Sequence, residues 1–405
     1  MPICIYCRRV KEATEFSLEH VIPQALGGDF APAAFSTNDA CRWCNNILGQ
    51  FVDASFSKSW FIDNWLTMTL MECYDADNPT DLRLLCMGVS EMRLPEMEDD
   101  EVVECYRGPF AENIYWVRPA DDDLYWMNGG NPVRSKQRET RAYYTLHARS
   151  KTDFLIPLRT FRDSFRNRNV RKVFATDIKT NLIELGVFSE PDELDIRRIA
   201  ALWEHDKRAV EAVEIRAKLN FDHRFMCKLA RGVSYCLLGE KVLSGEYAEQ
   251  IQIGLWSQNN DLQLQVRGTD LMSGLQRPEN KLIGIKLAVT ISIMALPEGL
   301  SVNISLGERY CSSILAVPRE IMNEDDYRRI GNGIHVVLYP GLKQAYQLTT
   351  SQLVGHKLHN SHIGLRAAEA EIERRGKYFA RMAALNRARE AEEGADTNLL
   401  PPVSE

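Results

Sequence analysis

"CIYCRRVKEATEFSLEHVIPQALGG" (residues 4–28) and "CRWCNN" (residues 41–46) decide the fold of the N-terminal region. Two Cys-x-x-Cys pairs supply four thiolates, the donor set of a closed tetrahedral zinc site that can organise a segment too small for a full hydrophobic core. Cys4, Cys7, Cys41 and Cys44 are therefore the expected ligands of a structural Zn²⁺. The 33 residues between the pairs exceed the roughly 15 to 20 of a zinc ribbon, so something more is housed between the knuckles. "TEFSLEHVIPQALGG" reads as a strand entering a Pro- and Gly-rich turn, and adjacent Glu19 and His20 would face opposite sides of a regular strand. A bend there would let Glu19 ligate a hard divalent cation while His20 faces a water. "CRWCNNILGQFVDASF" reads as a knuckle opening a helix, with Asn45 in its first turn. An amide oxygen at that place can complete an oxygen-rich Mg²⁺ site.

In order, the chain offers a zinc knuckle, acid-His-x-x-Pro, a Gly-Gly turn, an Asn, a second knuckle and Cys-Asn. From Cys4 to Gly49 this resembles an HNH endonuclease, the ββα-metal fold, in its four-cysteine zinc form. The resemblance implies that His20 is the general base and that Glu19 and Asn45 hold the catalytic metal. It also implies that Asn38 fastens the hairpin loop through backbone hydrogen bonds. Glu19 stands where Asp is commoner, and Asn45 where some branches carry His, which favours Mg²⁺ or Mn²⁺ over a softer metal. Hydrolysis of DNA phosphodiester bonds is implied, one metal and one base giving a nick, with a dimer or repeated nicking needed for a double-strand break. The downstream "HRFMCKLARGVSYCLLGE" followed by strands is similar to C-terminal regions of larger bacterial HNH proteins, so an effector of antiviral defence or of a mobile element is expected.

A chain of 405 residues with 45% hydrophobic content is expected to form an α+β multidomain protein. The reading divides it into an HNH zinc module over 1–72 and a mixed α/β region over 75–190. A C-terminal domain of helices and antiparallel sheet over 191–363, which would recognise substrate, signal or partner, precedes a helix and disordered tail over 364–405. No apolar run approaches the roughly 18 residues of a membrane span, and "MPICIYC" lacks a secretory signal, which makes the cytoplasm the expected compartment. Six further cysteines, scattered singly among the ten, read as small buried hydrophobes. In the C-terminal half, "FDHRFMCKLARGVSYCLLGE" reads as an amphipathic helix ending at Gly239. "IQIGLW", "LIGIKLAVTISIMAL", "LSVNISL", "YCSSILAV" and "IHVVLYP" read as strands.

A net charge of −7 argues against a protein that coats nucleic acid non-specifically. DNA contact must come from a local surface. Residues 134–172 carry twelve Lys or Arg against three acids, interleaved with Tyr143, Tyr144, Phe154, Phe161 and Phe165. Arg162, Arg166, Arg168 and Arg171 are the expected phosphate contacts; the other reading is a solvated helical face with inward aromatics. His356, His359 and His362 do not read as a metal site, because their spacing drifts round a helix and no acid or cysteine is near in sequence. Three functions follow: a DNA endonuclease, an endonuclease gated by a nucleotide messenger or an Argonaute-like or CRISPR-like partner, and a zinc-dependent DNA-binding regulator without catalysis. A homo-oligomer is compatible with each.

Overall fold

The computed structural model describes residues 1–77, 82–110, 112–121, 134–145, 155–166, 168–175, 188–206, 213–215, 219–257, 266–269 and 280–396. The chain opens with a two-stranded antiparallel hairpin, β1 (Phe16–His20) and β2 (Ser36–Cys41), followed by α1 (Arg42–Leu48). A π-helical turn at Gly49–Asp53 and a short turn at Ala54–Ser57 lead into α2 (Trp60–Glu72). A six-stranded sheet comes next, built from β3 (Leu85–Ser90), β4 (Glu101–Arg107), β5 (Asn113–Pro119), β6 (Thr140–Thr145), β7 (Val170–Ala175) and β8 (Val213–Glu214), in the order β7-β6-β5-β4-β3-β8. The β6–β7 pair is parallel, joined through helix α3 (Leu155–Ser164), and the other pairs are antiparallel. Helix α4 (Glu193–Asp206) precedes β8.

The third part begins with α5 (Leu219–Leu238) and α6 (Glu246–Trp256). An antiparallel sheet of β9 (Gly268–Thr269), β10 (Val289–Leu296), β11 (Gly299–Leu306), β12 (Tyr310–Pro318), β13 (Ile334–Tyr339) and β14 (Gln344–Leu348) follows, ordered β14-β13-β10-β11-β12-β9. Helices α7 (Thr350–His359) and α8 (Ile363–Asp396) close the described chain. Among the described residues no helix is long and apolar enough to cross a membrane.

Two compact units result. One takes Met1–Thr69 and Ala217–Ile372, the other Leu70–Trp126, Pro132–Arg216 and Glu373–Glu405. This grouping differs from the four segments read from composition, because one core of buried residues runs without a break from the N-terminal module into α5 and the β10–β13 strands. Phe56 stacks on Phe225 of α5 with ring centroids 3.8 Å apart.

α5 runs to Leu238 and Gly239 follows with φ 75°, the left-handed stop expected there. "IQIGLW" is a correction: it lies in α6, where Ala248, Ile251 and Leu255 are buried at helical spacing. Its alternating apolar residues look strand-like only when read without the preceding "EYAEQ". Between α4 and α5, Val213 and Glu214 are extended and pair with Ser90 and Val89 of β3. The disordered tail expected over 392–405 is corrected in its first residues, since α8 continues to Asp396; residues 397–405 lie outside the described residues.

Candidate active site and zinc centre

The four cysteines converge. The Sγ atoms of Cys4, Cys7, Cys41 and Cys44 all lie within 4.8 Å of one another, with three of the residues buried and Cys7 half-buried. Arg8, at φ 55°, turns the first knuckle back on itself, so that Cys4 N–H bonds Arg9 O at 3.0 Å and Arg8 N–H bonds Cys4 O at 2.8 Å. The Cys41 N–H donates to Cys4 Sγ at 3.3 Å. The Cys44 thiol, helped by the backbone N–H groups of Cys41, Cys7 and Tyr6 and opposed by burial, holds the Cys4 thiol down to about 4. Thiolate donors, convergence and closure fit a structural Zn²⁺.

The hairpin between the knuckles carries the expected catalytic pair. Ser17 pairs with Ala40 and Glu19 with Thr37, so that one residue of β1, Leu18, faces two of β2, Asn38 and Asp39. This β-bulge supplies a local bend immediately before His20. His20, half-buried, has its Nδ1 3.3 Å from Ser36 Oγ. The turn after it needs Gly28, where a Cβ would lie 1.7 Å from Ile22 O. Asn38 is exposed on β2, and no hydrogen bond of its side chain occurs among the described residues. Ser36, not Asn38, faces His20.

Glu19 points the other way, into the core. It is 2% exposed, its Oε1 accepts the Tyr6 hydroxyl at 2.8 Å, and the Lys228 ammonium of α5 lies 2.8 Å from the same oxygen. Lys228 also donates to Asp53 Oδ2 at 2.6 Å. Burial opposes the charge on Lys228, but the Asp53 and Glu19 carboxylates outweigh it and hold the ammonium above its ordinary value. Burial pushes Asp53 up to about 6 against the pull of Lys228. Asn45 uses Nδ2 to donate to Leu18 O at 2.9 Å and Ser17 Oγ at 3.1 Å, tying α1 to the hairpin. A catalytic Mg²⁺ or Mn²⁺ on Glu19 and Asn45 needs an open oxygen site. In this arrangement the two side chains do not fit it, because Glu19 is enclosed and already carries a cation.

α5 grips the module along one face. Arg224 donates to Phe51 O at 3.3 Å, Lys228 reaches Glu19 and Asp53, and the Tyr235 hydroxyl bonds Asp39 Oδ2 at 3.1 Å. Gly232 permits this closeness, since a Cβ there would meet Val21 Cγ1 at 2.5 Å. The sequence reading missed Lys228. The signal was present: it lies three residues after Phe225 and one before Leu229, a charge in phase with the apolar face.

In the other unit, Arg162 and Arg166 both reach Asp163, at 2.9 and 3.2 Å. The Arg168 guanidinium lies 4.7 Å from the Trp116 ring centre, and Arg171 Nε is 3.0 Å from Asp195 Oδ2. Tyr143, Tyr144, Phe161 and Phe165 are buried in the core of this unit, while Phe154 lies outside the described residues. The aromatics face inward, and the four arginines contact carboxylates and a ring of their own unit.

The histidine run has an acid after all: His356 Nε2 is 3.1 Å from Glu369 Oε1, across the α7–α8 junction. Asn360, left-handed at φ 49°, ends α7, and His362 Nδ1 accepts the Leu365 N–H at 3.2 Å as a cap of α8. The three histidines are therefore split between two helix ends.

Residues 4–61 match the model of the HNH endonuclease family. The chain thus carries an HNH endonuclease module at its N-terminus, with a cysteine cluster suited to zinc. No curated protein and no solved structure matches the chain.

Proposed function

We propose that the chain is a DNA endonuclease whose N-terminal module hydrolyses phosphodiester bonds with His20 as general base. The observation that carries this reading is His20 itself, half-buried on a bulged hairpin between zinc knuckles, with Nδ1 beside Ser36 Oγ. With Nδ1–H donating to Ser36, Nε2 keeps its lone pair and takes a proton from the water that attacks phosphorus, and the 3′ oxygen leaves. Ser36 is then a positioning residue that sets the tautomer. A Zn²⁺ held by Cys4, Cys7, Cys41 and Cys44 would keep the hairpin and α1 in register and would take no part in the reaction.

A second reading, in which the C-terminal region gates the module, is favoured by the Glu19–Lys228 contact, since a carboxylate expected at the reaction centre is held by α5. A role in defence or in a mobile element rests on the sequence resemblance alone. Plasmid nicking by the full chain tests the function: the wild type should convert supercoiled to open-circular DNA, and His20→Ala should not. Ser36→Ala should lower the rate and shift the acid limb of the pH profile.

A further inference from the structure

Beside the first zinc knuckle is a cavity of about 290 Å³ lined by Cys7, Arg9, Lys11, Trp43, Gln252 and Trp256. Trp43, between Cys41 and Cys44, is 58% exposed, a costly place for the largest apolar side chain. It stacks on Trp256 of α6, with centroids 5.6 Å apart and planes 18° from parallel. Both floor residues are anchored on one acceptor: the Trp256 Nε1–H and the Gln252 Nε2 amide donate to Tyr6 O at 3.1 and 2.7 Å. The other end of that amide, Gln252 Oε1, is buried and has no hydrogen-bond partner among the described residues. Arg9 is exposed at the rim, and no ion pair or side-chain hydrogen bond engages it among the described residues. Lys11 meets only the exposed Glu15, at 3.0 Å.

An exposed indole face with cations at the rim is the combination that holds a base with its phosphate. We propose that this cavity binds an unstacked nucleobase of a nucleic-acid strand, stacked on Trp43, with its backbone phosphates at Arg9 and Lys11. A base that enters the cavity to stack on Trp43 leaves the stack of its own helix. The strand must therefore present a base that is single-stranded or turned out of the duplex. The inference rests on the nuclease reading only for its choice of a strand over a free nucleotide.

The test is a binding one, made on the zinc-loaded full chain carrying His20→Ala so that no cutting interferes. A fluorescein-labelled fifteen-nucleotide oligo(dT) is followed by anisotropy, alone and as the duplex with oligo(dA). Single strand should bind more tightly than duplex. Trp43→Ala should weaken the single strand about tenfold at unchanged zinc content, with Trp43→Phe recovering most of it, and Arg9→Gln should reduce the salt slope by about one contact. Equal affinity of the parent and Trp43→Ala for the single strand overturns the proposal. Tighter, Trp43-dependent binding of dTMP or AMP than of the oligonucleotide overturns the strand assignment in favour of a free nucleotide. Because every arm reads binding, failure of His20 as base leaves these outcomes unaffected.

Discussion

The Lys228 ammonium lies 2.8 Å from Glu19 Oε1, with both side chains at most 2% exposed. A helix more than two hundred residues along the chain, through Lys228, thus reaches the acid of the acid-His pair. The contact lies within the unit that groups the N-terminal module with the Ala217–Ile372 segment.

Removing the ammonium tests how far the module depends on it. Lys228→Met would leave Glu19 and Asp53 buried without a counter-charge, a change that typically costs about 3–5 kcal/mol. A lower urea midpoint is expected, partly restored by adding Asp53→Asn. The pair also closes Glu19 to other cations, so the wild type should show no Glu19-dependent uptake of Mn²⁺ by electron paramagnetic resonance. Uptake that disappears in Glu19→Gln would show that Lys228 does not keep the carboxylate.

Zinc should be stoichiometric and structural. Metal analysis of the purified chain is expected to find one Zn²⁺, and Cys44→Ser should lose it with a clear fall in melting temperature, since closed thiolate sites contribute folding energy directly. Full zinc retention in Cys41→Ser with Cys44→Ser would rule out the four-cysteine assignment.

Arg162 and Arg166 both pair with Asp163, as does Arg159, so their guanidinium groups are engaged within their own unit. Arg162→Gln with Arg166→Gln should therefore leave the salt dependence of DNA binding unchanged. A slope reduced by about 0.9 for each residue would return this helix to the DNA path.

Much of the module was legible because its chemistry is local. Cysteine spacing marks the zinc site, and Pro23, Gly27 and Gly28 mark the turn after His20. What escaped was long-range. Lys228 meets Glu19 only when α5 docks, and no local rule pairs residue 19 with residue 228. The orientation of Glu19 depends on the bulge opposite Leu18, which no residue type announces. "IQIGLW" failed for a different reason: a short apolar run carries both periods, and the preceding residues decide it.

His335 provides a pH test away from the site. On β13 it is buried between Ser292 Oγ at 2.8 Å and Thr350 Oγ1 at 2.9 Å, and burial lowers it from 6.5 to about 4. Between these values the unfolded chain binds a proton that the folded chain refuses, so stability is fully present above pH 6.5 and is lost as pH falls toward 4. At about 1.4 kcal/mol per unit, the loss is about 3 kcal/mol across that window. His335→Gln should flatten this part of the urea-midpoint curve; an unchanged curve would assign the pH dependence elsewhere.

The most direct test of the nuclease reading is plasmid nicking by the zinc-loaded full chain and by His20→Ala, with Mg²⁺ and Mn²⁺ supplied in separate arms. The expected result is open-circular DNA from the wild type and a rate at least about 10²-fold lower from His20→Ala, at equal zinc content and melting temperature. Cutting by His20→Ala at the wild-type rate would contradict it.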